Sequence, residues 1–190
     1  MVTAYGRLAE LGRKRLSLLR ELLPKPGLIA FAVDPKNGAT PFQVKDVQEA
    51  AQAVGQPLLI AEAGTEDQVD KMFAMIAERN VAAILFGASQ YFQVIADRLV
   101  ALAARYRIPA LYEWREFVTS GGLMSYSTDR ADAARLAGTY AGRILKGEKP
   151  ADMPATQSTR FELVINLRTA KAIGLEFPPA LMAIADEMID

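Results

Sequence analysis

The sequence predicts an α/β fold, a three-layer α/β/α arrangement with a parallel sheet covered by helices on both faces. Three observations carry this. Short apolar runs begin near residues 28, 57, 82 and 109, and amphipathic stretches of helical period lie between them. The runs are almost continuously apolar rather than alternating, as strands buried on both faces are. Successive β-α-β units of this length specify parallel pairing with right-handed crossovers.

Each element has its own signal. Leu8, Leu11, Leu16, Leu19 and Leu23 recur at helical spacing with Arg and Lys between them, and Pro24, Pro26 and Gly27 end that helix. Leu28–Val33 is a strand closed by the turn Asp34-Pro35-Lys36-Asn37-Gly38. Thr40-Pro41-Phe42-Gln43 has the form of a capping box, opening a helix that Gly55 stops. Pro57–Ala63 is the second strand, and Thr65-Glu66-Asp67-Gln68 caps the next helix. Val81–Phe86 is the third strand, and Gly87-Ala88-Ser89 turns the chain into one long helix ending near Tyr106. Pro109–Tyr112 is the fourth strand.

The rhythm then changes. Trp114–Ser120 reads as a short helix, Gly121-Gly122 as a break and Leu123–Ser127 as a strand. Thr128 is expected to cap a helix running to Gly147, and Lys149–Ser158, with two prolines, reads as a surface loop. Phe161–Leu167 alternates like a half-buried strand. Asn166 caps a short helix closed by Gly174, and Pro178-Pro179 opens a final helix.

Composition narrows the chemistry. Of 190 residues 51% are hydrophobic, and 22 Lys plus Arg balance 22 Asp plus Glu. A balanced chain has no electrostatic pull towards nucleic acid or an anionic membrane. The absence of His and Cys excludes thiol nucleophiles, histidine general bases and Cys/His zinc sites. No acidic cluster suggests a metal loop, and neither G-x-G-x-x-G nor G-x-x-x-x-G-K-[ST] occurs, so no cofactor and no enzyme activity are expected. No apolar run is long enough to span a membrane, and no secretory signal opens the chain. The basic stretch Arg7 to Arg20 reads as the solvated face of a helix.

In an open parallel sheet, ligands bind outside the C-terminal strand ends. The candidates therefore come from the loops there. Asp34 and Asn37 offer a carboxylate and an amide, or simple turn chemistry. Ser89 and Gln90 open a helix, where Ser89 either caps it or presents itself with backbone N–H groups to an anion. Tyr112 and Glu113 begin an aromatic and charged cluster after a buried strand, where an aromatic face and a carboxylate suit a ligand ammonium. Tyr126 either joins the same cleft or sits in the core.

Three motifs carry a family resemblance: residues 112–126 (YEWREFVTSGGLMSY), 142–152 (GRILKGEKPAD) and 161–175 (FELVINLRTAKAIGL), the last followed by Pro178-Pro179. In this order they resemble the ABC-transporter substrate-binding proteins of the tryptophan/tyrosine-type group, with a type 1 periplasmic-binding-protein fold. The resemblance extends over essentially the whole chain. It implies a non-enzymatic protein that holds a small molecule, in some members an aromatic amino acid, between two α/β lobes and delivers it to an ABC permease.

The resemblance also implies a domain division. Residues 1–26 correspond to an N-lobe helix, 27–122 to a complete C-terminal lobe, and 123–190 to a crossover, an N-lobe helix and a C-terminal return. Most of the N-terminal lobe and the signal peptide are expected to be missing. That predicts a periplasmic protein by family, or a cytoplasmic one if Met1 is the natural start. The helices at 8–23 and 129–147 are then expected to lack their partner sheet and to drive homodimerisation. Asp34 or Glu113 is expected to meet a ligand amine and Ser89 a carboxylate. The alternative reading is a cytoplasmic ligand-sensing or regulatory domain, since the same fold serves sugar-responsive repressors.

Overall fold

β1 (Ile29–Val33) pairs in parallel with β2 (Leu58–Glu62) on one side and β3 (Ala83–Phe86) on the other. Outward from β3 follow β4 (Ala110–Tyr112), β5 (Met124–Thr128), β6 (Phe161–Asn166) and β7 (Glu187–Ile189), giving one seven-stranded sheet ordered β2-β1-β3-β4-β5-β6-β7. Among the described residues only the β5–β6 pair is antiparallel. The computed structural model describes residues 4–150, 153 and 160–190, with side chains described from Leu11 onward, Ala131 and Ala133 apart. Most of the expected loop Lys149–Ser158 therefore lies outside the described residues.

Alternate side chains of the strands feed two cores. On one face Phe31, Val33, Leu85 and Leu111 pack beneath α1 (Ala4–Leu22), α2 (Thr40–Ala53), α8 (Leu167–Ile173) and α9 (Pro179–Ala183). On the other, Ala30, Ala32, Ile84 and Phe86 pack beneath α3 (Glu66–Glu78), α4 (Gln90–Val94), α5 (Ala96–Tyr106) and α6 (Arg115–Thr119). Small alanines on that face let α3 approach, with Val69, Phe73 and Ile76 fully buried. The predicted three-layer α/β/α arrangement is the one observed.

Several local expectations are corrected. Thr40 does not cap α2; its hydroxyl donates to the Asp34 carbonyl at 2.6 Å, and the Gln43 side chain turns to the loop after β3. α7 (Arg130–Leu145) is capped by Asp129 rather than Thr128, because Thr128 is still paired in β5 while Asp129 Oδ1 accepts from the Asp132 amide. The expected single helix to Tyr106 bends at Ile95 into α4 and α5, although amide bonds of helical spacing continue through the bend. The final helix is a short α9. The chain after it becomes β7, held by reciprocal contacts between Asp186 and the Leu163 backbone.

The largest correction concerns the first helix. Its leucine face was expected to be orphaned, yet Leu16, Leu18, Leu19 and Leu22 are buried in the core shared with β1, β5, β6 and α8. That shared core runs across both expected boundaries, 26/27 and 122/123. Residues 124–128 join the same sheet rather than leaving it, and residues 161–189 return to it. Among the described residues α7 contributes to neither core, and its Ile144 and Leu145 are exposed.

Candidate functional site

The parallel strands β1, β3 and β4 deliver their following loops to one edge of the sheet, as predicted. The loops after β1 and β3 are tied to each other. Asp34, the first residue after β1, accepts from Ser89 Oγ at 2.9 Å through Oδ2 and from the Lys36 amide at 2.9 Å through Oδ1. Asn37 Nδ2 donates to the Ala88 carbonyl at 2.6 Å. Gln43 grips the same residue twice, donating to the Ala88 carbonyl at 3.1 Å and accepting from its amide at 2.7 Å. Lys36 Nζ reaches the Gly64 carbonyl after β2. Gly87 has the space this needs: a Cβ there would lie 3.1 Å from Gln43 Oε1 and 3.2 Å from the Ala32 carbonyl.

Ser89 caps α4, accepting from the Tyr91 and Phe92 amides while donating to Asp34. A hydroxyl has one hydrogen to give, so none is left for a ligand carboxylate. Gln90 is exposed beside it. Asp34 is buried but keeps lone pairs beyond the two contacts it makes.

Tyr112 was expected to offer an aromatic face to a ligand. Its ring is instead sealed in the core, stacked between Phe86 and Phe117 with centroids 5.0 and 4.8 Å away. Gly122 closes over it, since a Cβ there would lie 2.8 Å from Tyr112 Cε2 and 2.7 Å from the Phe117 carbonyl. Tyr112 therefore positions the end of β4 and makes no contact at the edge. Glu113 follows directly and is also buried. Burial pushes its carboxyl above the usual carboxylate range, while nearby Arg15 acts in the opposite direction. Tyr126, on β5, is half-buried and stacks on Phe161.

Sequence reading missed Arg15 and Gln43. The basic stretch makes Arg15 read as part of a solvated face, yet it is only 5% exposed and its Nε donates to the Tyr126 carbonyl at 2.7 Å. The signal was present: position 15 falls four residues after Leu11 and three before Leu18, on the buried face of α1. Arg15 and Gln43 line a cavity of about 70 Å³ between α1, α2 and the ends of β1 and β3, together with Phe31, Asn37, Asp46 and Ala88.

A doubly wound sheet with polar loops fixed at its C-terminal strand edge has the layout in which α/β proteins receive small ligands. The chain belongs to the ABC transporter substrate binding protein family, whose profile matches residues 8–189. This is a family of binding proteins and not of enzymes. A "Tyrosine-binding protein" of Clostridioides difficile (strain R20291) is 23% identical over 164 residues, covering 86% of this chain and 47% of the relative. A conserved domain protein from Vibrio cholerae superposes with a TM-score of 0.82 at 21% identity, over 93% of this chain and 60% of that one. An ABC domain from Streptococcus pneumonia, solved in complex with L-Trp, superposes with a TM-score of 0.81 at 21% identity, over 94% and 62%. The chain thus spans about half the length of the curated relative it matches. Among the described residues no helix is long and apolar enough to cross a membrane.

Proposed function

We propose that this chain supplies one wall of the ligand cleft of an ABC importer's substrate-binding protein, and that the ligand is an aromatic amino acid. The observation that carries the reading is the family match across residues 8–189. The names of two similar proteins, one tyrosine-binding and one solved with L-Trp, support the ligand class. The loop clasp at the strand edge supports the location, because a preorganised site loses less entropy on binding. The family match also favours transport over a sensing domain.

Within this reading Glu113 meets the ligand ammonium. Its carboxylate is buried, and no cation lies within ion-pair distance of it among the described residues, whereas both Asp34 oxygens already accept. Asp34, Asn37 and Ser89 then shape the wall, with Gln90 and Tyr126 at its rim. An ABC permease is the partner, and the protein works on the outer side of the membrane that carries it.

Among the described residues α7 places no side chain in either core. Ile144 is 44% exposed and Leu145 87%. We propose that this face pairs with a second copy, now through α7 alone. Light scattering after size exclusion is expected to show a dimer that Leu145→Glu dissociates; a monodisperse monomer at micromolar concentration would sink the dimer.

Calorimetry with L-tryptophan, L-tyrosine and L-phenylalanine tests the ligand. One wall alone predicts weak binding, in the millimolar range or about 4 kcal/mol. Tight stoichiometric binding would refute the one-wall view, and no binding of any of the three would refute the ligand class.

A further inference from the structure

We infer that Arg15 and the cavity it lines form a subsite for a carboxylate, and, resting on the reading above, for the carboxylate of the amino-acid ligand. Arg15 is buried on α1 and lines the 70 Å³ cavity together with Asn37, Gln43 and Ala88 of the strand-edge clasp. A guanidinium carries five N–H donors in a planar fork. One of them, at Nε, holds the Tyr126 carbonyl. Among the described residues no acceptor engages either terminal nitrogen, and no carboxylate lies within 4.0 Å of it.

Such an arrangement is costly unless something answers it. Removing a charge from water is strongly unfavourable even after relaxation. Glu113 attracts Arg15 through space and burial opposes its charge, but Glu113 forms no ion pair with it. The residual demand is for an anion with two acceptors in one plane, which is the shape of a carboxylate. The volume suits a small group: a single water needs about 10–15 Å³, so the cavity admits a carboxylate with a few neighbouring atoms and not an aromatic ring.

The cavity wall selects further. Asp46 lines it as well, so the site holds one cation and one anion. That pairing disfavours a multiply charged anion and suits a single carboxylate, with the ligand ammonium left to Glu113 outside the cavity. The ring would then project towards the mouth. This also answers why Ser89, whose hydrogen is held by Asp34, is not needed for the carboxylate.

The test observes the Arg15 Nε–Hε resonance of the wild-type chain by NMR, assigned with Arg15→Lys. Acetate, L-tyrosine and tyramine are the probes. L-tyrosine and acetate are expected to move the resonance saturably, and tyramine, which lacks the carboxylate, is expected to leave it in place. Arg15→Gln is expected to weaken L-tyrosine binding about tenfold or more. The subsite is overturned if neither carboxylate moves the resonance, or if tyramine moves it as L-tyrosine does. If acetate moves it and L-tyrosine does not, the subsite stands and the aromatic amino acid as ligand falls. The wild-type titration decides even if Arg15→Gln fails to fold for want of the Tyr126 contact.

Discussion

In α1, Leu18, Leu19 and Leu22 are sealed between the sheet and its neighbouring helices, whereas in α7 Ile144 and Leu145 lie open to solvent. Both helices are amphipathic at the same spacing, and both were expected to be orphans of an absent lobe. The pattern of a helix states that it has an apolar face; it does not name the surface that covers it. α1 feeds directly into the interior strand β1 through a short proline-containing link, so its return onto that strand is nearly imposed. α7 sits between the antiparallel neighbours β5 and β6, on a long excursion that leaves its direction free of the sheet.

Substitution breaks or sharpens this contrast most strongly at the leucines. Leu19→Ala, deep under α1, is expected to cost about 2–5 kcal/mol in urea unfolding. Leu145→Ala is expected to stay within about 0.5 kcal/mol when measured on the monomer, below the concentration at which the chain pairs. Equal costs at the two positions in the monomer would mean that α7 packs on its own chain. A smaller effect is expected in the other core, where Gly122→Ala drives a Cβ into the Phe117 carbonyl and the Tyr112 ring at 2.7 and 2.8 Å. Overpacking of this kind costs about 1–3 kcal/mol; a neutral result would show that the Tyr112 stack yields.

Glu113 separates the buried edge from the solvated one by pH. Burial raises its carboxyl, so the folded state holds the proton more tightly than the unfolded chain. The stability it contributes is full below the ordinary value of 4.5 and is lost as pH rises through the raised one. Wild-type stability relative to Glu113→Gln is therefore expected to fall as pH climbs above that point. A difference that grows with pH would mean that Arg15, not burial, dominates. The smallest effect is expected at Tyr112→Phe. The Tyr112 hydroxyl is buried without a hydrogen-bond partner, so removing it should leave stability unchanged or slightly raised in thermal unfolding.

The sheet was legible because its strands are continuous apolar runs bounded by turn residues, and the edge loops followed from strand direction alone. β7 was not legible. Three residues at a sheet edge carry no period, and their pairing depends on Asp186 meeting Leu163 from a distant part of the chain. Of the candidate site, the clasp residues Asp34, Asn37 and Ser89 and the buried Glu113 were legible as turn and strand-end residues. Their roles were not, because whether Ser89 serves a ligand or Asp34 depends on where a loop 55 residues away comes to rest. Tyr112 misled for the same reason: an aromatic beside charges in sequence points to a cleft only when its strand face is known. Arg15 was hidden by its basic neighbours, although its helical position already placed it with the leucines.

The central claim is that recognition occurs at the C-terminal edge of the parallel strands. A backbone amide NMR titration of the 190-residue chain with L-tyrosine addresses it most directly. The account predicts saturable shifts concentrated at residues 34–37, 87–91 and 112–115 and around Arg15. Shifts at the opposite edge, near Pro57, Ala82 and Pro109, or along α7 alone, would contradict it.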